Sequence, residues 1–169
     1  VALPGGDRLA SRNEIRKLAL YARGKTSVEI ADVMAVVADA SALALDGVID
    51  AAFAGDTRGV EVEFGKARGG VSAPAARIAA TIRQVANLHK MKLAVDAGDS
   101  IDFVMKRGAP PVHFSRADAV GAALRLWTAP RLVHAMTQLA EASLEARRDA
   151  PLAEAIAQRT LLSIATSAR

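Results

Sequence analysis

The stretch 72–97, SAPAARIAATIRQVANLHKMKLAVDA, is the longest uninterrupted helical pattern in this chain. Ser72 is a favourable N-cap, and Pro74 suits a first helical turn, where its missing N–H costs nothing. Gly98 supplies a residue that ends a helix in the left-handed conformation. These signals predict one long helix, and we expect the shorter helices of the chain to pack around it.

The long helix presents two apolar sectors when its residues are placed about 100° apart. One sector is predicted to face a core: Ile78, Ile82, Val85, His89 and Leu93. A second sector mixes apolar and polar side chains: Arg77, Gln84, Leu88 and Met91. This second sector is a candidate subunit interface, and the alternative is that it packs beneath the last two helices of the same chain.

The helices before residue 72 are predicted from caps and glycines. Ser11 with Glu14, and Thr26 with Glu29, have capping-box spacing. They predict a helix from Ser11 to about Arg23, ended by Gly24, and a short helix over 27–37. A loop is expected at 39–41, followed by a helix that Gly55 ends and a further helix before the glycines 69–70, which together form an antiparallel hairpin.

The helices after Gly98 follow similar signals. Ser100 and Ser115 are expected to cap helices over 101–106 and 116–127. Pro130 opens a long helix to about Arg148 with one apolar stripe, and Pro151 opens a last helix. The stripe is predicted to contain Leu132, Met136, Leu139, Ala140 and Leu144. No segment alternates with a period of two, so the fold class predicted is all-α, a helical bundle.

Composition limits the classes of function. The chain of 169 residues has no cysteine, which excludes disulfides and thiolate chemistry and fits a cytoplasmic protein. No apolar run reaches the roughly 20 residues that span a bilayer, so we expect no membrane association. Basic residues exceed acidic ones by only 22 to 18 and aromatics make up 4%, which favours a solvated basic surface over a nucleic-acid platform. Because the chain begins with Val1, we expect a fragment of a longer protein.

No catalytic, metal or cofactor site is predicted. The three histidines, His89, His113 and His134, are too far apart to form a ligand pair on one helix. The acidic residues at 96, 99 and 102 lack the ligand spacing of a calcium loop, and no glycine-rich phosphate frame is present. Trp127 is expected to anchor the core or a domain boundary.

Five ordered landmarks resemble the C-terminal part of the delta subunits of bacterial DNA polymerase III, which belong to the clamp loader. They are NEIRKLALYA (13–22), DASALALDGVIDAAFAGD (39–56), IRQVANLHKMK (82–92), PPVHF (110–114) and the helix after Trp127. The chain departs from that pattern at Gly47, where an acidic residue often follows Asp46, and in its high alanine content. The resemblance covers nearly the whole chain.

The resemblance implies that residues 1–38 are the end of a AAA+-like lid domain and its connecting helix. Residues 39–169 would be the helical collar, an oligomerisation domain that holds the loader pentamer together during sliding-clamp loading in DNA replication. The fragment itself would have no catalytic site, although the whole protein would be a subunit of a DNA polymerase holoenzyme. Its expected partners are the delta prime and gamma/tau subunits, with the sliding clamp and primer–template DNA reached through the complete complex. The alternative is a helical nucleic-acid-binding module.

Overall fold

The computed structural model describes residues 8–68, 74–108 and 111–168. Within these ranges the regular structure is helical and contains no strand, so the predicted all-α fold class is confirmed. The α-helices are α1 (Arg8–Tyr21), α2 (Ile30–Ala54), α3 (Thr57–Arg68), α4 (Pro74–Asp96), α5 (Ile101–Arg107), α6 (Ala117–Leu126), α7 (Ala129–Arg148) and α8 (Ala153–Ser167). Short 3₁₀ turns precede α6 (Phe114–Arg116) and α8 (Ala150–Leu152).

The chain divides into two compact units, Val1–Leu43 and Ala44–Arg169. Helix α2 is continuous through the boundary, so the loop predicted at 39–41 is wrong. The run from Ile30 to Asp46 contains no glycine or proline. Aspartate and serine inside a helix each cost less than about 1 kcal/mol relative to alanine, which a helix that is already propagating can absorb.

In the first unit, the helix starts differ from those predicted. Helix α1 begins at Arg8, so Ser11 lies within it rather than at its N-cap. Helix α2 begins at Ile30, and the buried Asp32 carboxylate accepts the Glu29 backbone N–H at 3.1 Å and a bond from Lys25. The capping contact therefore joins Glu29 and Asp32, three residues later than the predicted box, because Lys25 holds the Asp32 carboxylate at that position.

In the second unit, α2 and α3 form the expected antiparallel hairpin. Gly55 ends α2 with a φ of +75°, and the Asp56 carboxylate accepts the N–H of Gly59 at 2.8 Å at the start of α3. A Cβ atom on Gly59 would lie 3.1 Å from the Cβ of Ala51, which shows how closely the two helices approach. A glycine at position 59 is what permits this approach.

Helix α4 lies at the centre of the second unit, packing most extensively against α7 and also against α8, α5 and α6. Its predicted ends at Pro74 and Gly98 are confirmed, with Gly98 at a φ of +112°, whereas the predicted cap Ser72 lies outside the described residues. Its buried side chains are Arg77, Ile78, Thr81, Val85 and Leu88. The buried sector therefore lies between the two predicted ones.

The prediction that Leu93 faces the core is wrong, because its side chain is 50% exposed. Ile82 and His89 from the same predicted sector are half-buried. Helices α7 and α8 both pack against α4, and Arg77 in the buried sector donates to Glu154 of α8. The helix is thus turned toward that sector, which leaves Leu93 near the edge of the packed surface.

The helices after residue 110 depart from prediction in two places. Ser115 does not cap α6; instead, the His113 ring accepts the Ser115 backbone N–H at 3.3 Å, and a 3₁₀ turn precedes the helix. On α7, the predicted apolar stripe does not form one face, because Leu132 and Leu139 are buried whereas Ala140 and Leu144 are exposed. The buried residues of this helix, three of which are alanines, are Leu132, Ala135, Leu139, Ala142, Ser143 and Ala146. These buried positions face α4 and α8, and Leu144 lies on the opposite side of the helix.

Candidate functional site

Two of the four residues predicted as a subunit interface are buried inside the chain. Arg77 is 5% exposed; it donates from Nη1 to Glu154 Oε1 at 2.8 Å, and its guanidinium carbon lies 5.6 Å from the centre of the Phe64 ring. Leu88 is 7% exposed and belongs to the hydrophobic core. Both residues therefore contribute to packing between α4 and its neighbours.

The other two residues of that set are half-buried. Gln84 donates from Nε2 to the Asp46 Oδ1 atom of α2 at 2.8 Å. Met91 is a partly buried residue that packs against the core. The four residues do not form an exposed contact surface in this structure. They instead connect α4 to α2, α8 and the core.

The Asp46 carboxylate that Gln84 contacts belongs to a polar cluster that joins α2 to the start of α6. Arg116 donates from Nε and Nη2 to the two Asp50 oxygens at 2.9 and 2.7 Å, and from Nη1 to Asp46 Oδ1 at 2.8 Å. Such two-pronged arginine–carboxylate contacts are among the stronger hydrogen bonds in proteins. The three charged side chains are 15–27% exposed, so solvent screens them only partly.

Burial and charge compete within this polar cluster. Burial raises the pKa of the Asp46 carboxyl, and the Asp50 charge raises it further. The Arg116 charge and the hydrogen bonds from Gln84 and Arg116 lower this pKa, but by less, so it remains raised. Burial alone would lower the pKa of Arg116, but its hydrogen bonds and charge interactions with Asp50 and Asp46 leave that pKa raised. Pairing therefore outweighs burial at Arg116, whereas burial outweighs pairing at Asp46.

Trp127, at the other end of α6, is a core anchor as predicted. Its side chain is 1% exposed, and Nε1 donates to the backbone oxygen of Phe53 at 2.8 Å. The Phe53 and Trp127 rings lie 5.0 Å apart at 49°. Phe53 is next to the C-terminal residue of α2, so its carbonyl oxygen has no partner within that helix. Trp127 therefore supplies the hydrogen bond that this helix end needs.

One face of α7 remains uncovered in the second unit. Val133, Thr137, Ala140 and Leu144 recur at helical spacing, and all four are exposed, with Val133 at 47% and Leu144 at 49%. We call this set the outer face of α7. Apolar side chains in one exposed row are a typical feature of surfaces that contact other proteins. The sequence analysis placed Ala140 and Leu144 in one apolar stripe with Leu132 and Leu139, which are buried.

A polar groove lies between α7 and α8. It encloses about 210 Å³ and is lined by Gln138, Glu141, Ala142, Glu145, Arg159, Thr160 and Ser163. Arg159 already donates to Glu145 at 2.8 Å, whereas the buried Oε1 atom of Gln138 accepts no hydrogen bond from the residues that the structure describes. The groove therefore combines an ion pair with one buried acceptor that has no donor among those residues.

The titratable side chains considered as ligands do not converge. His113 is exposed and stacks on Phe114 at 4.3 Å, His134 is exposed on α7, and His89 is half-buried on α4. Asp96 pairs with Lys92 at 3.0 Å. Among the residues that the structure describes, no three His, Cys, Asp or Glu side chains are grouped so as to hold a metal ion. The same residues include no helix long and apolar enough to cross a membrane.

Comparison with known proteins identifies no relative. No protein-family model, no curated protein and no solved structure matches this chain significantly.

Proposed function

We propose that this chain is the C-terminal part of a delta subunit of the bacterial DNA polymerase III clamp loader. In this proposal its second unit is a noncatalytic oligomerisation domain that contacts the delta prime and gamma/tau subunits during sliding-clamp loading. The ordered landmarks from Asn13 to the helix after Trp127 support the proposal. The all-helical fold is compatible with it.

The observation that carries the assembly role is the outer face of α7. This helix packs closely against α4 and α8 on one side, yet presents Val133, Ala140 and Leu144 to solvent on the other. A helix that is buried on one side and carries a row of exposed apolar side chains on the other is suited to packing against a helix of another subunit. We therefore assign the subunit contact to this face in place of the set formed by Arg77, Gln84, Leu88 and Met91.

The division of the chain at Leu43 and Ala44 adds support for a separate assembly unit. The core of the second unit contains buried residues from α2 through α8. A unit with its own core has the organisation expected of a domain that can present an interface. Domain-scale independence is a requirement for a collar in which each subunit contributes one helical body.

A matched pair of substitutions on α7 tests the proposal. Leu139 is 1% exposed and Leu144 is 49% exposed, so the same change to aspartate probes the inner and outer sides of one helix. Leu139→Asp should unfold the chain, because it buries an unpaired charge. Leu144→Asp should leave the melting temperature nearly unchanged and weaken assembly with purified delta prime and gamma/tau subunits by about tenfold or more, or about 1.4 kcal/mol.

Analytical ultracentrifugation of the wild-type chain mixed with those subunits gives the reference affinity. If the wild-type chain forms no complex with any of them, the proposed function is wrong. If the complex forms and Leu144→Asp assembles normally, the assignment of the contact to the outer face of α7 is wrong. Binding of duplex DNA by the chain alone that survives about 200 mM salt would favour the helical nucleic-acid-binding module instead.

A further inference from the structure

We draw no further inference here: the strongest candidate, the polar groove between α7 and α8 lined by Gln138, Glu141, Glu145 and Arg159, carries nothing because its Gln138 side chain is only half-buried and no other feature of the groove indicates what would fill it.

Discussion

Helix α6 is held against α2 at both ends, and the two attachments differ in their physical chemistry. At its start, Arg116 forms three hydrogen bonds with the carboxylates of Asp46 and Asp50 in a partly exposed cluster. At its end, Trp127 is fully buried against Phe53 and makes one hydrogen bond to the Phe53 carbonyl oxygen. The contacts follow the same order along both helices, so together they fix the position of α6.

The difference shows which attachment should dominate stability. Charged groups lose hydration when they are buried, so the net contribution of the Arg116 cluster is smaller than its number of bonds suggests. The Trp127 attachment instead gains from removing a large apolar surface from water, and its single polar atom is satisfied. We therefore expect the apolar end of α6 to contribute more to the free energy of unfolding than the polar end.

The largest predicted effect is at the apolar end. Trp127→Ala should lower the free energy of unfolding by about 3–5 kcal/mol, because it opens a cavity and leaves the Phe53 carbonyl without its donor. Trp127→Phe should cost less, since it keeps most of the ring contact. Because Trp127 is the only tryptophan, both variants lose the tryptophan fluorescence of the wild type. Urea denaturation is therefore best followed by circular dichroism.

The control at that end is Leu126→Ala. Leu126 is adjacent in sequence but 43% exposed, and its truncation should change stability by only about 0.5 kcal/mol. Equal losses for the Leu126 and Trp127 truncations would show that the apolar attachment does not hold the end of α6.

The next effect is at the polar end. Arg116→Ala should lower the free energy of unfolding by about 1.5–3 kcal/mol, because two partly buried carboxylates lose their charged donor. Arg125→Ala is the matched control, since Arg125 is an exposed arginine on the same helix. A double-mutant cycle of Arg116→Ala with Asp50→Ala measures the coupling directly. A coupling near zero would mean that the cluster contributes no net attachment.

A pH titration separates burial from pairing in the polar cluster. Because its folded pKa is raised, Asp46 contributes stability that is fully present below the unfolded value of 3.8 and is lost as the pH rises through the folded pKa. The stability advantage of the wild type over Asp46→Asn should therefore fall with rising pH in that window. Unfolding free energies of both proteins, measured in urea across the window, give this difference.

The pKa of Asp32, in the first unit, is shifted in the opposite direction, so its contribution to stability changes with pH in the opposite sense. Hydrogen bonds from Lys25 and then from the Glu29 backbone lower the pKa of Asp32, so its contribution is present above 3.8 and is lost as the pH falls through its folded pKa. Carboxyl-carbon NMR titration should show Asp46 and Asp32 shifted in opposite directions. A lowered pKa at Asp46 would mean that pairing with Arg116 outweighs burial.

The smallest predicted effect is on the side of α2 that faces α3. Gly47→Ala should stabilise the chain by about 0.5–1 kcal/mol, because glycine inside a helix is entropically unfavourable. The new Cβ would lie 3.1 Å from Glu63 Oε2, which is the mobile end of a flexible side chain. Thermal melting of this variant shows whether α2 tolerates change away from its contacts with α6.

Gly59→Ala is the contrasting variant. There the new Cβ would fall 2.3 Å from Asp56 Oδ2 and 3.1 Å from the Cβ of Ala51, so the cap of α3 has to shift. We expect Gly59→Ala to lower the melting temperature and Gly47→Ala to raise it. The same sign for both would mean that the α2–α3 contact is less close than the structure shows.

Several helix ends were predictable from the sequence, chiefly those set by glycine. Gly24, Gly55 and Gly98 all adopt positive φ values after the helices that they were predicted to end. Ser100 caps α5 by accepting the Phe103 N–H, and proline occupies the first turn of α4 as predicted. These features depend on interactions within one helical turn, and the residue types at those positions are enough to specify them.

The partners of Arg116 are 66 and 70 residues away, so no local pattern identified that cluster. The one available signal was the spacing of Asp46 and Asp50, which places two carboxylates on the same side of α2. In the same way, Leu88 on α4 and Leu144 on α7 each belong to an apolar pattern at helical spacing, yet Leu88 is buried and Leu144 is exposed. The residue types specified the helix ends at Gly24, Gly55 and Gly98 and the cap at Ser100, because those energies are local. They did not specify the starts of α1, α2 and α6 or the continuity of α2 through residues 39–41. Which helix faces are buried depends on the neighbouring helix that covers each face, so it follows from the tertiary packing.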